Sequence, residues 1–438
     1  MKIFLNTLGC KLNESELEAW TRRFAADGYE IVNDERDADV CVVNTCAITH
    51  VAARKSRQMA RQIARANPNA RIVLTGCYAD VAPDEARKLP NVALIVPNAD
   101  KDDLPLQISN FKFQIADCSQ FEDPNLKSEI LNLKLKTRAF VKIQDGCNMS
   151  CTYCIIPTAR GKERSRARAE IVAEVKSLVD AGYQEIILTG VQISVYGDAN
   201  WKFALRDLVA AILAETNVPR LRLTSIAPWD LDLQLLDLWR DARLCRHLHL
   251  SLQSGSDAIL RAMRRPYSTA QFARVVESAR AKIPDVAITT DVIVGFPGES
   301  DAEFEQSRAF VEAMQFSRVH VFPYSIRTGT PAATMQNQVA DAVKESRAKQ
   351  MQTHADASAR AFAQKFVGRT MDVLWESVNS QQSTVNSEQS TVNSQQMWAG
   401  YTDNYIRVHA DSDANLANRI TRARIITING DGVNAVIA

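Results

Sequence analysis

Asp145-Gly146-Cys147-Asn148-Met149-Ser150-Cys151-Thr152-Tyr153-Cys154 places three thiols on one short segment, directly after Arg138 to Ile143, which reads as a strand. Thiolates suit iron-sulfur clusters. Three protein ligands on a four-iron cluster leave one iron open to a further ligand, whereas a structural zinc needs four ligands and no cysteine or histidine follows nearby to close it. Five more strand candidates follow: Glu185 to Leu188, Arg220 to Leu223, Arg246 to Leu250, Val286 to Val294 and Arg318 to Phe322. Each precedes a helical stretch, so the segment predicts a partial TIM-like (β/α)6 barrel. The cysteine loop lies at the carboxyl end of its first strand, where such barrels place chemistry.

Upstream, residues 1 to 112 alternate apolar runs with helix-periodic polar stretches; Lys2 to Leu8, Ala38 to Asn44 and Arg71 to Thr75 are the clearest strands. The alternation predicts an open parallel α/β sheet. Cys10, Cys46 and Cys77 each end one of these strands, and the carboxyl ends of strands in such a sheet share one edge, where ligands bind. The three read as a second ligand triad. His50, four residues after Cys46, leaves a zinc site open as an alternative. Cys41, Cys118 and Cys245 read as small buried hydrophobes.

Residues 113 to 132 lack periodicity and read as a connection to a core spanning 133 to 367. From 368 to 438 the chain changes character: Met371 to Trp375, Tyr405 to His409, Ala423 to Ile428 and Val433 to Ile437 predict a small β-barrel. Within it, residues 378 to 396 repeat Val-Asn-Ser-Gln/Glu-Gln-Ser-Thr from Val378, Val385 and Val392. That unit has no apolar face and reads as a flexible polar insertion.

The 438 residues are 46% hydrophobic and 24% charged, as in a globular protein of several cores. Nine cysteines are too few and too unevenly spaced for a disulfide scaffold. With no charged leader before the first strand and no apolar run long enough for a bilayer, the expectation is a cytoplasmic protein without membrane partners. The net charge of +1 conceals basic patches. Arg54, Lys55, Arg57, Arg61, Arg65 and Arg71 occur without any acidic residue between Ala47 and Ala79, and Arg54, Arg57, Arg61 and Arg65 share one helical face. Arg160, Lys162, Arg164, Arg166 and Arg168 follow the other cysteine set, with Glu163 the one acid among them. Both patches suit a phosphate backbone. From Thr370 onward, four basic residues against seven acidic ones weaken that case for the last module, where Arg419 to Arg424 and the aromatics Trp398 and Tyr405 are the candidate RNA contacts.

The CxxxCxxC spacing with Tyr153 before the last cysteine resembles the radical S-adenosylmethionine (SAM) superfamily. Together with Thr7-Leu-Gly-Cys-Lys-Leu-Asn13, Asn44-Thr-Cys-Ala-Ile-Thr49, Gly76-Cys77, Cys154-Ile-Ile-Pro-Thr-Ala-Arg-Gly161, Leu248-His-Leu-Ser-Leu-Gln-Ser-Gly255, Met263-Arg-Arg-Pro-Tyr267, Asp291-Val-Ile-Val-Gly-Phe-Pro-Gly-Glu299 and His320-Val-Phe-Pro-Tyr-Ser325, it resembles the methylthiotransferase family over nearly the whole chain. The last module is similar to that family's TRAM domain. The resemblance implies one 4Fe-4S cluster on Cys147, Cys151 and Cys154, whose open iron takes SAM and yields a 5'-deoxyadenosyl radical. It implies a second 4Fe-4S cluster on Cys10, Cys46 and Cys77 that carries the sulfur or methylthio group, with one SAM donating methyl and another the radical.

Tyr153, Thr189, Gly190, Ser251, Gln253, Asp291 and Gly295 are expected at the SAM pocket, since they sit in the cysteine loop or at strand ends. Gly295 to Gly298 also reads simply as a turn. Within the family, the chain most resembles the branch acting on N6-threonylcarbamoyladenosine at tRNA position 37. Isopentenyladenosine in tRNA and a ribosomal-protein aspartate are the alternative substrates, and a non-enzymatic RNA-binding protein with structural metal sites is the competing class. The expected partners are tRNA, an electron donor of flavodoxin or ferredoxin type, and a sulfur source. The threonyl carboxylate calls for a cation, for which Arg160, Arg264 and Arg265 are available.

Overall fold

The computed structural model describes residues 1–112, 137–197, 204–378, 396–430 and 432–438. Cys118, the connection and all but the ends of the heptad repeat lie outside the described residues.

The first domain is a five-stranded parallel sheet in the spatial order Glu30–Val32, Lys2–Thr7, Val40–Thr45, Arg71–Gly76, Val92–Val96. Alternate residues serve opposite faces. Ile3, Val40, Val42 and Val73 pack against Trp20 and Phe24 of the helix Lys11–Ala26, while Phe4, Cys41, Val43, Ile72 and Leu74 pack against Ala60 and Ile63 of the helix His50–Ala66. Burial on both faces explains why Val40–Thr45 reads as an unbroken apolar run rather than an alternating one. The chain reverses its direction of winding between Lys2–Thr7 and Val40–Thr45, which opens a crevice at their carboxyl ends.

The second domain contains all six expected barrel strands: Arg138–Lys142, Glu185–Thr189, Arg220–Leu223, His247–Leu250, Ala287–Val294 and Arg318–Pro323. They form two parallel sheets joined by the third strand. Arg220–Leu223 pairs with Glu185–Thr189, and after a break at Thr224 the short Ser225–Ile226 pairs with His247–Leu250. The connection after this broken strand holds only a 3-10 helix, Leu235–Arg240, where a full helix was expected. A long helix, Asp341–Gln364, packs Met351 and Ala355 into the core.

The last domain is a closed five-stranded barrel in the order Thr370–Val378, Gln396–Thr402, Arg407–Ser412, Gly432–Ile437, Ile420–Asn429. Sequence patterning misses Gln396–Thr402 because it begins at the end of the polar repeat and contains Gly400, which lies against the Leu374 carbonyl. Part of this module's acidic balance has a structural cause. Asp403 receives Arg246 at 2.6 Å, Glu376 receives Arg138 at 3.1 Å, and the carbonyls of Tyr401 and Asp403 accept from Arg220 and Arg222. Two of its carboxylates and two of its carbonyls therefore dock it on the arginines of the (β/α)6 domain. Trp398 and Tyr405, expected to face RNA, are instead used in packing. Trp398 lies in the small barrel's core, and Tyr405 stacks on Tyr401 and lies tilted against His247, with ring centroids 5.1 Å and 4.8 Å away. Among the described residues no helix is long and apolar enough to cross a membrane.

Candidate active site

Cys10, Cys46 and Cys77 follow the strands Lys2–Thr7, Val40–Thr45 and Arg71–Gly76, at the crevice where the winding reverses. Glycines let these strand ends approach. Gly9, at φ 115°, lies so close to Cys46 that a Cβ there would sit 2.8 Å from its Sγ, and Gly76, at φ 93°, packs on the Thr45 backbone. Asn13 ties the edge together by donating to the carbonyls of Leu8 at 2.8 Å and Thr45 at 3.1 Å. Burial pushes the Cys46 thiol up to about 11 and raises that of Cys77 as well, so a bound metal is what would hold them as thiolates.

The other triad is organised within its own loop. Gln144–Asp145 pairs with Arg164–Ser165, and the N–H of Cys147 donates to the Gly161 carbonyl at 3.1 Å. The N–H of Met149 donates to Cys147 Sγ at 3.4 Å, that of Ile156 to Cys154 Sγ at 3.5 Å, and Arg265 Nη1 to Cys151 Sγ at 3.4 Å. Such donors favour thiolates, against the burial that pushes Cys154 up to about 12. The donor chemistry fits clusters better than zinc. Sulfurs on one tetrahedral zinc lie roughly 3.8 Å apart, whereas among the described residues the ligand atoms of neither cysteine triad all fall within 4.8 Å of one another. Nor does His50, exposed at the start of its helix, complete such a set with Cys10, Cys46 and Cys77.

A buried polar network joins the two triads, and sequence reasoning did not anticipate it. Glu16 accepts from Lys101 Nζ at 2.6 Å and Arg160 Nη1 at 3.1 Å, and Asn44 donates to it at 2.9 Å. Burial alone would raise its carboxyl; the charges of Lys101, Arg160 and Lys142 outweigh burial and hold it well below the usual range. Arg160 also reaches Asp145 at 2.9 Å and Asn13 at 2.5 Å. This corrects the expectation that Arg160 meets substrate: it is 2% exposed and saturated with acceptors. Arg164 pairs with Asp145 and Arg166 with Glu174, while Arg164 stays exposed and Arg166 half-buried. Alternating apolar patterning carries no trace of such a network, because its members are charged residues from distant segments.

The remaining candidates scatter around this centre. Arg265 stacks on Trp229 at 4.4 Å, and its Nη2 donates to the Ser251 carbonyl, so it belongs to the cysteine loop. Arg264 is exposed. Tyr153 packs on the cluster of Ile259, Met263 and Phe296. Thr189 is buried, and Gly190 lies against Gln144. Gln253, at φ 69°, bonds through its backbone to Asp291 and Ile293, while Asp291 accepts from His249 at 3.2 Å. Gly295 donates its N–H to Glu299 and is covered by Lys344, consistent with the turn reading. Gln192, not foreseen, places its amide oxygen 3.9 Å from Cys147 Sγ and donates to Asp230. Of the first basic patch, Arg54, Arg61 and Arg65 are exposed, whereas Arg57 lies over the Tyr78 ring and 3.8 Å from Glu85.

A model of the radical SAM superfamily matches residues 141–311, and one of the uncharacterized protein family UPF0004 matches residues 2–97. A Bacillus subtilis protein named threonylcarbamoyladenosine tRNA methylthiotransferase MtaB is 35% identical over 97% of this chain and 93% of its own length. The chain belongs to the radical SAM methylthiotransferase family. As a radical SAM enzyme it uses SAM and 4Fe-4S chemistry. A Thermotoga maritima protein of the same name is 37% identical, covering 85% of this chain and 86% of its own. An Agrobacterium fabrum tRNA-2-methylthio-N(6)-dimethylallyladenosine synthase is 34% identical, covering 86% and 87%. Among solved structures, the radical SAM methyltransferase TsrM from Kitasatospora setae aligns with a TM-score of 0.56 at 14% identity, over 76% of this chain and 77% of that one. At that identity the likeness concerns the fold.

Proposed function

We propose that this methylthiotransferase adds a methylthio group to adenine C2 of N6-threonylcarbamoyladenosine at position 37 of tRNA. In this reading Cys147, Cys151 and Cys154 hold the cluster that binds SAM, and Cys10, Cys46 and Cys77 hold the one that carries sulfur. When bound, the clusters and SAM supply the radical and the methylthio group. The chain's own residues position them: the N–H groups of Met149 and Ile156 and the Arg265 guanidinium stabilise thiolates, and the Glu16 network fixes the two triads relative to each other. The carrying observation is that two three-cysteine sets, each short of a full ligand complement, one at the ends of three parallel strands and the other on a single loop of the next domain, are joined by one buried network. SAM contact is assigned to Tyr153, Thr189, Gly190, Ser251, Gln253 and Asp291. The exposed Arg54, Arg61, Arg65 and Arg264 are assigned to tRNA.

The threonylcarbamoyl substrate is favoured by the relatives named for it, which align at 35% to 38% identity over 85% to 97% of this chain. A flavodoxin- or ferredoxin-type reductant and a separate sulfur source complete the reaction, in the cytoplasm. Reconstituted enzyme, SAM, reductant and sulfide should convert threonylcarbamoyladenosine-37 tRNA to its 2-methylthio form, read by nucleoside mass spectrometry. Modification of isopentenyladenosine tRNA alone, or of a ribosomal protein alone, refutes the assignment.

A further inference from the structure

The segment after the last barrel strand bridges the two triads. Ser325 Oγ accepts from the His50 N–H at 3.4 Å, and Arg327 Nε donates to the Ile48 carbonyl at 2.9 Å, two residues beyond Cys46. At its far end the Ala332 N–H donates to the Thr152 carbonyl at 2.8 Å, between Cys151 and Cys154. Arg327 is 9% exposed, yet among the described residues no carboxylate pairs with it, and its Nη2 is buried without a hydrogen-bond partner. The hydroxyl of Tyr324, 5% exposed, is likewise buried and unpartnered. Burial works against the charge on Arg327, and Cys46 and Tyr324 are the groups that would offset it if ionised.

Other buried arginines here have acceptors: Arg160 has Glu16, Asp145 and Asn13, and Arg347 has Glu299 and Asp301. A buried guanidinium with an unused N–H is costly unless an anion occupies the space it faces. The Ile48 carbonyl that holds Arg327 is two residues from Cys46, and so deeply buried a guanidinium suits a small anion better than a nucleoside.

We propose that Arg327 and Tyr324 form the anion-holding pair of the N-terminal triad, binding the small sulfur anion, hydrosulfide or methanethiolate, that this site delivers. The proposal rests on Cys10, Cys46 and Cys77 being cluster ligands. Arg327 supplies charge and a directed N–H, and Tyr324 supplies an O–H donor. Anchorage of the segment to Thr152 fixes the pair relative to the SAM side.

The test uses the full chain, reconstituted without oxygen, with excess S-adenosylhomocysteine, which has no sulfonium to be reductively cleaved, occupying the other cluster. Sodium methanethiolate is titrated in, and the electron paramagnetic resonance of the reduced protein is followed. Arg327→Gln should weaken the apparent methanethiolate affinity by about tenfold or more, the scale of a lost charge-assisted bond. Arg327→Lys should fall between it and wild type, and Tyr324→Phe should show a smaller loss, with iron and sulfide content at the wild-type level in all three. Wild-type affinity in Arg327→Gln overturns the proposal, including when that variant binds tRNA less well, which would assign the residue to the substrate carboxylate. If Arg327→Gln fails to retain iron, wild-type affinity in both Arg327→Lys and Tyr324→Phe overturns it equally. A Cys147→Ala chain that retains no cluster refutes the two-cluster reading itself.

Discussion

Cys147, Cys151 and Cys154 share one loop, whereas Cys10, Cys46 and Cys77 stand 36 and 31 residues apart and meet only because three parallel strands end at one edge. The first set takes N–H donors from its own segment, at Met149 and Ile156. The second depends on Gly9 and Gly76 for close approach, on Asn13 to tie two strand ends, and on a carboxylate, Glu16, whose partners come from three segments. A local site tolerates loosening of the surrounding domain, because its geometry is fixed by a few consecutive residues. A site assembled from distant strand ends is as stable as the sheet that assembles it.

That contrast makes separable predictions. The largest effect is on chemistry. Cys151→Ala should abolish 5'-deoxyadenosine formation, while Cys46→Ala should leave reductive SAM cleavage near wild type and abolish methylthio transfer, both read by mass spectrometry. Parallel loss of the two activities in both variants would erase the distinction.

Next comes stability. Glu16→Gln leaves Lys101 and Arg160 buried without their shared anion and should cost about 3–5 kcal/mol, whereas Arg87→Gln, at an exposed pair with Asp84, should leave the thermal melt unmoved. The same residue sets an acid limit. The Glu16 carboxyl is held below its ordinary value of 4.5, so its contribution is present above that pH and is lost as the pH falls toward its folded value. Acid titration should therefore loosen the N-terminal domain in wild type, and that response should be blunted in Glu16→Gln; identical acid profiles would show that the network does not carry the effect.

Smaller still is the effect at the surface. Arg54, Arg61 and Arg65 project from the helix that starts four residues after Cys46. Replacing each by Gln should weaken tRNA binding and lower the magnitude of its salt-dependence slope by roughly one per lost phosphate contact, with SAM cleavage unchanged. An unaltered slope would remove this face from the tRNA interface. The smallest effect is expected at the heptad repeat. Val378 pairs with Trp398, so a short Gly-Ser turn in place of residues 379–395 can close the hairpin, and the melting temperature should not change measurably. A large fall would show that the repeat packs.

Much of the fold was legible because each strand carries its own signal. Six barrel strands and the core of the parallel sheet announced themselves as apolar runs, and Cys41 and Cys245 are buried as such runs imply. Gln396–Thr402 did not, since a glycine and a polar start mask a strand that owes its place to Leu374 and to closure of the barrel. Arg160 was misread for a related reason. In sequence it belongs to a basic run, and nothing local reveals that Glu16 and Asn13 of another domain await it.

The amino-acid sequence alone fixed the chemistry of the ligands, the order of the elements and the three-part architecture, because thiol spacing and hydrophobic periodicity are short-range properties. Which charges face solvent, which are consumed in ion pairs and which, like Arg327, are buried with an N–H left over depends on contacts between segments hundreds of residues apart. A charged side chain carries the same sequence signal in each setting, and only packing against its neighbours distinguishes them.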